Sequence, residues 1–136
     1  MFMSKLVQHL KDDHKQIAKA FEEVKKLGIG TKEGVEKLNS VKALLLAHLK
    51  LEDVKLYPAL RQAAEKNAQL RSTVTIFAKD MELISKAALD FFDKYSKSQN
   101  TVEFARDFGS LFAVLSNRIN REESTLYAEY QKLGLD

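Results

Sequence analysis

Two histidines and a carboxylate, His14, His48 and Glu52, stand in the order H…H-x-x-x-E, and a degenerate copy of the pattern follows in the second half of the chain. His14 lies in D-D-H-K-Q-I and His48 in A-H-L-K-L-E-D-V-K-L-Y-P. The later stretches read K-D-M-E-L-I around Met81 and N-R-I-N-R-E-E-S-T-L-Y around Arg118. Aligned, His14 pairs with Met81, His48 with Arg118, Glu52 with Glu122 and Tyr57 with Tyr127. Imidazole nitrogen and carboxylate oxygen are a donor set for transition-metal cations, and the i, i+4 spacing of His48 and Glu52 puts both on one helix face. One half of the repeat carries those residue types intact; the other has lost both histidines.

Four segments must position these residues. Apolar side chains recur at spacings of three and four, the period of an amphipathic helix. The first stripe is Leu6, Leu10, His14, Ile17, Phe21 and Val24; the second is Leu38, Val41, Leu45, His48, Glu52, Leu56, Ala59 and Ala63. The third is Leu70, Phe77, Met81, Ile84, Ala88, Phe91 and Tyr95; the fourth is Phe104, Phe108, Leu111, Leu115, Arg118, Glu122 and Leu126. Gly28-Ile29-Gly30-Thr31 ends the first helix, with Thr31 as the next N-cap. Asn67 caps the third helix, and Asn100-Thr101-Val102-Glu103 opens the fourth as a variant capping box. Pro58 predicts a kink, or a helix end and restart, in the second segment. Long helices with short connections make an all-α, up-down-up-down antiparallel four-helix bundle, a single domain over residues 1–136.

Each stripe is apolar except at one level. Counting from the turns at about 1.5 Å of rise per residue, His14, His48, Glu52, Met81, Arg118 and Glu122 fall in one layer across the bundle. Buried polar groups are costly unless paired or bound to metal. A lone core histidine is more often a hydrogen-bonded structural residue; two histidines and two glutamates in one layer favour more than that. His9 lies off that face and reads as surface. Glu52 and Glu122 as an acid–base pair is the weaker reading, since no pattern suggests a substrate pocket.

Composition narrows the rest. The chain has 136 residues, 45% of them hydrophobic and 30% charged, with five Gly, one Pro and no Cys. That suits one globular domain and excludes disulfides and thiolate metal sites. The net charge of +3 comes from scattered basic and acidic residues, which argues against a nucleic-acid partner; Lys15, Lys19 and Lys26 read as a solvated face. No apolar run suggests a signal peptide or a membrane span, so a cytoplasmic setting without a membrane partner is expected. No phosphate-cradling Gly loop, Ser/His/Asp set or CxxC motif points to an enzyme.

The pattern as a whole resembles the hemerythrin-like, or HHE cation-binding, domain over nearly the full chain. The resemblance implies a four-helix bundle around a non-haem di-iron centre, with a metal ion as partner and a small diatomic molecule as its ligand. His14, His48 and Glu52 match the first half of that family's motif, and Glu122 matches the carboxylate of its last H-x-x-x-E/D. Met81 and Arg118 stand where the family has histidines. A thioether is a poor ligand for ferric iron, and a guanidinium cannot ligate and repels a nearby cation. The expected site is therefore reduced to iron at one ion per chain, on His14, His48, Glu52 and Glu122, or to none. In the second case Arg118 joins Glu52 and Glu122 in a buried ionic network. A looser resemblance, carried by R-I-N-R-E-E and L-G-I-G-T-K-E-G, is to the bacterial regulator-of-sigma-D family, and implies a metal-free bundle that holds a protein partner.

Overall fold

The computed structural model describes residues 4–97 and 101–136, in helices, the turns between them and a short tail after the last helix. Helix α1 runs Lys5–Leu27. It opens on Ser4, whose hydroxyl accepts the Val7 N–H at 3.2 Å, a cap not expected from the sequence. It closes on Gly28, which takes the left-handed conformation (φ 67°) and donates its N–H to the Val24 carbonyl at 2.8 Å. Helix α2, Lys32–Leu51, starts at Thr31, whose hydroxyl accepts the Gly34 N–H at 3.1 Å. Gly34 is required there, because a Cβ would sit 1.7 Å from the Gly28 carbonyl oxygen.

The second and fourth bundle members each contain one wide π turn. In the second, Glu52–Leu56 joins α2 to α3 (Tyr57–Ala64), and the Tyr57 N–H bonds to the Glu52 carbonyl five residues back. Helix α4, Ala68–Lys97, is the third member, and Asn67 accepts the Leu70 N–H at 3.1 Å as the sequence predicts. The fourth begins as α5, Thr101–Arg121. It then passes through a second π turn, Glu122–Leu126, into α6, Tyr127–Lys132, with the Tyr127 N–H bonded to the Glu122 carbonyl. The expected cap at Asn100 lies outside the described residues.

The break expected at Pro58 takes the form of the first π turn: α2 ends at Leu51 and α3 starts at Tyr57 with Pro58 in its first turn, where its missing N–H costs little. Proline is not needed for the wide turn, since the fourth member has the same turn with Ala128 at the matching position. Each π turn inserts one residue, which rotates the remainder of the helix about its axis. Beyond Glu52 the buried residues are therefore Leu56, Tyr57, Leu60 and Ala64, while Ala59 and Ala63 are only half-buried.

Two apolar clusters show the antiparallel order. One joins the end of α1 (Ile17 to Val24) with the start of α2 (Leu38 to Leu45), the end of α4 (Ile84 to Tyr95) and the start of α5 (Phe104 to Leu115). The other joins Leu6, Val7 and Leu10 with Leu56 to Ala64, Leu70 to Met81, and Leu126 to Tyr130. His14, His48, Glu52, Arg118 and Glu122, the residues that break the apolar stripes, fall between the two clusters along the chain of every member that carries them. No strand occurs among the described residues, and no helix there is long and apolar enough to cross a membrane.

Candidate metal centre

Every residue singled out by type and spacing is in this layer, and none is more than 7% exposed, so pairing decides what each costs. Helix α1 supplies His14 and α2 supplies His48, with their Nε2 atoms 3.1 Å apart. The fourth member supplies Glu122, whose Oε1 lies 3.3 Å from His14 Nε2. Nitrogen and oxygen atoms of His14, His48 and Glu122 all lie within 4.8 Å of one another. Glu52 stands slightly farther out, its Oε1 3.7 Å from His48 Nε2. The carboxylate that meets the facing Nε2 atoms most closely thus comes from the opposite half of the repeat, not from the i+4 neighbour of His48.

Each imidazole is held from behind. The Nδ1 of His14 lies 2.7 Å from Glu123 Oε2, and the Nδ1 of His48 lies 3.1 Å from Asp13 Oδ2. A carboxylate accepts, so each Nδ1 carries a proton, and in the neutral ring the lone pair is left on Nε2, facing the centre. Tyr127 completes this side. Its hydroxyl donates to Glu52 Oε2 at 2.7 Å and lies 3.1 Å from His14 Nε2 and 3.5 Å from His48 Nε2.

The other side of the layer holds Arg118. Its guanidinium lies 3.3 Å from Glu122 Oε2 and donates to the Tyr57 hydroxyl at 2.8 Å, the Phe77 carbonyl at 3.0 Å and Asp80 at 3.2 Å. It also rests on the Phe77 ring, and Arg121 shares both Asp80 and that ring. Arg118 therefore pairs with Glu122 as expected, but reaches Tyr57 and Asp80 rather than Glu52. Met81 is buried at the same level and lines, with His14, His48, Arg118 and Glu122, a cavity of about 30 Å³.

Burial would raise both glutamates, and their surroundings separate them. Glu52 is pushed well above the ordinary carboxylate range by burial and by the adjacent Glu122. Burial presses Glu122 the same way, but hydrogen bonds from His14 and Glu52 and the charge of Arg118 hold it below. The two carboxyls are thus pushed in opposite directions from the ordinary range, and Glu52 Oε1 is buried with no hydrogen-bond partner. For His14 burial lowers the pKa, yet Glu122 and Glu123 outweigh it and the net shift is upward. His48 is lowered, by burial and then by the charge of His14.

These residues fit one cation. With metal–ligand bonds of about 2.1 Å, neighbouring donors sit about 3.0–3.4 Å apart in octahedral or tetrahedral geometry. The observed separations of 3.1 Å and 3.3 Å match that, and Glu52 Oε1 is a buried oxygen with no donor to satisfy it. They do not fit two. On the far side of Glu122 stands the fixed charge of Arg118, and neither Met81 nor Arg118 offers a nitrogen lone pair.

Sequence reasoning did not assign roles to Asp13, Glu123, Tyr127 or Asp80. The adjacent acids in D-D-H and E-E, and the Tyr57/Tyr127 repeat, were the available signals. A residue next to a stripe ordinarily faces solvent, which hid the first two.

No curated protein and no solved structure matches the chain. The profile of the hemerythrin HHE cation-binding domain, in contrast, matches residues 5–130. With its two-histidine, glutamate-lined layer inside an all-helical bundle, the chain belongs to the hemerythrin HHE cation-binding domain family.

Proposed function

We propose that this chain binds a single non-haem iron ion at His14, His48 and Glu122, with Glu52 in reserve, and acts as a metal-binding or metal-sensing protein rather than an enzyme. The observation that carries this reading is the pair of imidazoles whose Nε2 atoms converge at 3.1 Å while Asp13 and Glu123 fix both Nδ1 protons. Two neutral nitrogens and one ionised carboxylate suit a ferrous or ferric ion, which supplies a redox-active Lewis acid when bound. Glu122 would hold that ion through Oε1, the oxygen beside His14, while Oε2 stays on Arg118. The cavity of about 30 Å³ beside His14 and Met81 has room for one water or one diatomic molecule.

The test is anaerobic titration with ferrous iron of protein purified without affinity-tag metal. A single iron per chain, abolished in His48→Ala, is the expected result. Two irons per chain would show that Arg118 does not block the second position. No uptake at all would leave the layer as a buried ionic network and overturn the proposal.

A further inference from the structure

We propose that Tyr127 is itself a ligand of that cation, bound through its phenolate oxygen; this rests on the function proposed above. The first support is distance. The Tyr127 hydroxyl oxygen is 3.1 Å from His14 Nε2 and 3.5 Å from His48 Nε2, close to the separation between neighbouring donors on one ion. The residue is fully buried, so water does not contest the position.

The second support comes from the other half of the repeat. There the equivalent tyrosine, Tyr57, places its oxygen 2.8 Å from the Arg118 guanidinium. In that half a fixed positive charge occupies the layer, and the tyrosine oxygen is turned onto it. Tyr127 holds the same place after its π turn, with the His14/His48 pair before it where Tyr57 has Arg118. Both π turns serve this end, because the inserted residue lets Leu126 and Tyr127, like Leu56 and Tyr57, face inward together.

The third support is a proton acceptor in position. Ligation breaks the phenolic O–H bond, and the proton passes to Glu52 Oε2, which already accepts it in a hydrogen bond at 2.7 Å. A proton already held between Glu52 and Glu122 would leave to solvent in its place, and one held on His14 Nε2 would leave as well. At least one proton is released per ion, and no oxidant or reductant enters the balance.

The experiment loads the protein anaerobically with ferrous iron and then oxidises it with ferricyanide. A ferric–phenolate centre has a visible charge-transfer band whose resonance Raman spectrum shows ring modes of tyrosine. We expect that band in the wild type and in Tyr57→Phe, and its complete loss in Tyr127→Phe at unchanged iron stoichiometry. Growth on ring-deuterated tyrosine should shift the modes in the wild type and in Tyr57→Phe, which decides the point even if Tyr127→Phe does not fold. Bound ferric iron with no such band, or a band that survives in Tyr127→Phe, would overturn the tyrosine assignment and leave the single-iron reading standing. Failure to take up iron would instead remove the proposed function, and the ligand assignment with it.

Discussion

The two halves of the polar layer share a scaffold and differ in what neutralises their carboxylates. Each half has a glutamate opening a π turn and a tyrosine five residues later: Glu52 with Tyr57, and Glu122 with Tyr127. On one side the tyrosine faces two imidazoles backed by Asp13 and Glu123. On the other it faces a guanidinium backed by Asp80 and the Phe77 carbonyl. Glu122 stands between, one oxygen toward each side. The scaffold thus requires a positive charge on each side but not a particular carrier. A guanidinium is permanent, whereas an imidazole can exchange its proton for a metal. That exchange keeps one side chemically responsive while the other is fixed.

Removing the fixed charge should have the largest effect. Arg118→Leu leaves Glu122 with half its compensation, the Tyr57 hydroxyl and the Phe77 carbonyl without this donor, and Asp80 with Arg121 alone. Breaking a buried pair from one side costs about 3–5 kcal/mol, to be read from urea unfolding of the metal-free protein. His48→Leu removes a neutral ring and should cost clearly less. Equal losses would mean that the two sides are not distinguished by charge. Converting one side into the other is the next step: Arg118→His combined with Met81→His returns two imidazoles, and iron uptake should rise from one ion per chain to two. Uptake that stays at one would show that more than the guanidinium separates the halves.

Much of this layer was legible because helical periodicity sorts residues by face, and five polar residues interrupted otherwise apolar stripes. His14, His48, Glu122 and Arg118 could be placed at one height by counting turns alone. The π turns could not, since a single inserted residue is invisible to a fixed period. Its trace was the adjacent apolar pair in Leu56-Tyr57 and Leu126-Tyr127, which reads equally well as a broad helix face. Missing the insertion put Ala59 and Ala63 in the core instead of Leu60 and Ala64, and left Tyr127 as a repeat marker rather than a site residue. Asp13 and Glu123 were missed for another reason. Their roles depend on which ring nitrogen faces outward, and spacing carries no information about that.

The carboxylates behind each side give a smaller, sharper contrast. Asp13→Ala frees the Nδ1 of His48 and should weaken iron binding by about 10–100-fold, the usual effect of losing such a partner. Asp80→Ala loosens Arg118 and Arg121 instead, and should leave the iron dissociation constant unchanged while lowering the unfolding midpoint. Calorimetric iron titration of both variants separates the two roles. An equal loss of affinity in each would join the halves into one network.

The smallest effect concerns the proton that stands in for the metal. In the metal-free protein His14 has its pKa raised above the ordinary 6.5, because Glu122 and Glu123 outweigh the opposing effect of burial. A histidine raised in the folded state adds stability that is fully present below its unfolded pKa and is lost as pH rises through the folded one. Glu52, also raised, acts in the same direction from its ordinary 4.5 upward, because folding keeps it protonated where the unfolded chain would ionise it. Glu122 and His48, both lowered, act at the acid end, where falling pH removes stability. Arg118 keeps its proton throughout. The metal-free protein should therefore lose stability as pH rises above about 6.5, with the urea midpoint followed at each pH. His14→Gln should flatten that decline near neutrality, and Glu52→Gln should remove the part that extends to lower pH. Saturating ferrous iron should abolish the decline in the wild type, since the ion takes the Nε2 position the proton vacates and binds more tightly as pH rises. A decline of the same slope with iron bound would mean that proton and metal do not compete for one place, and the two sides of the layer would then differ in residues alone.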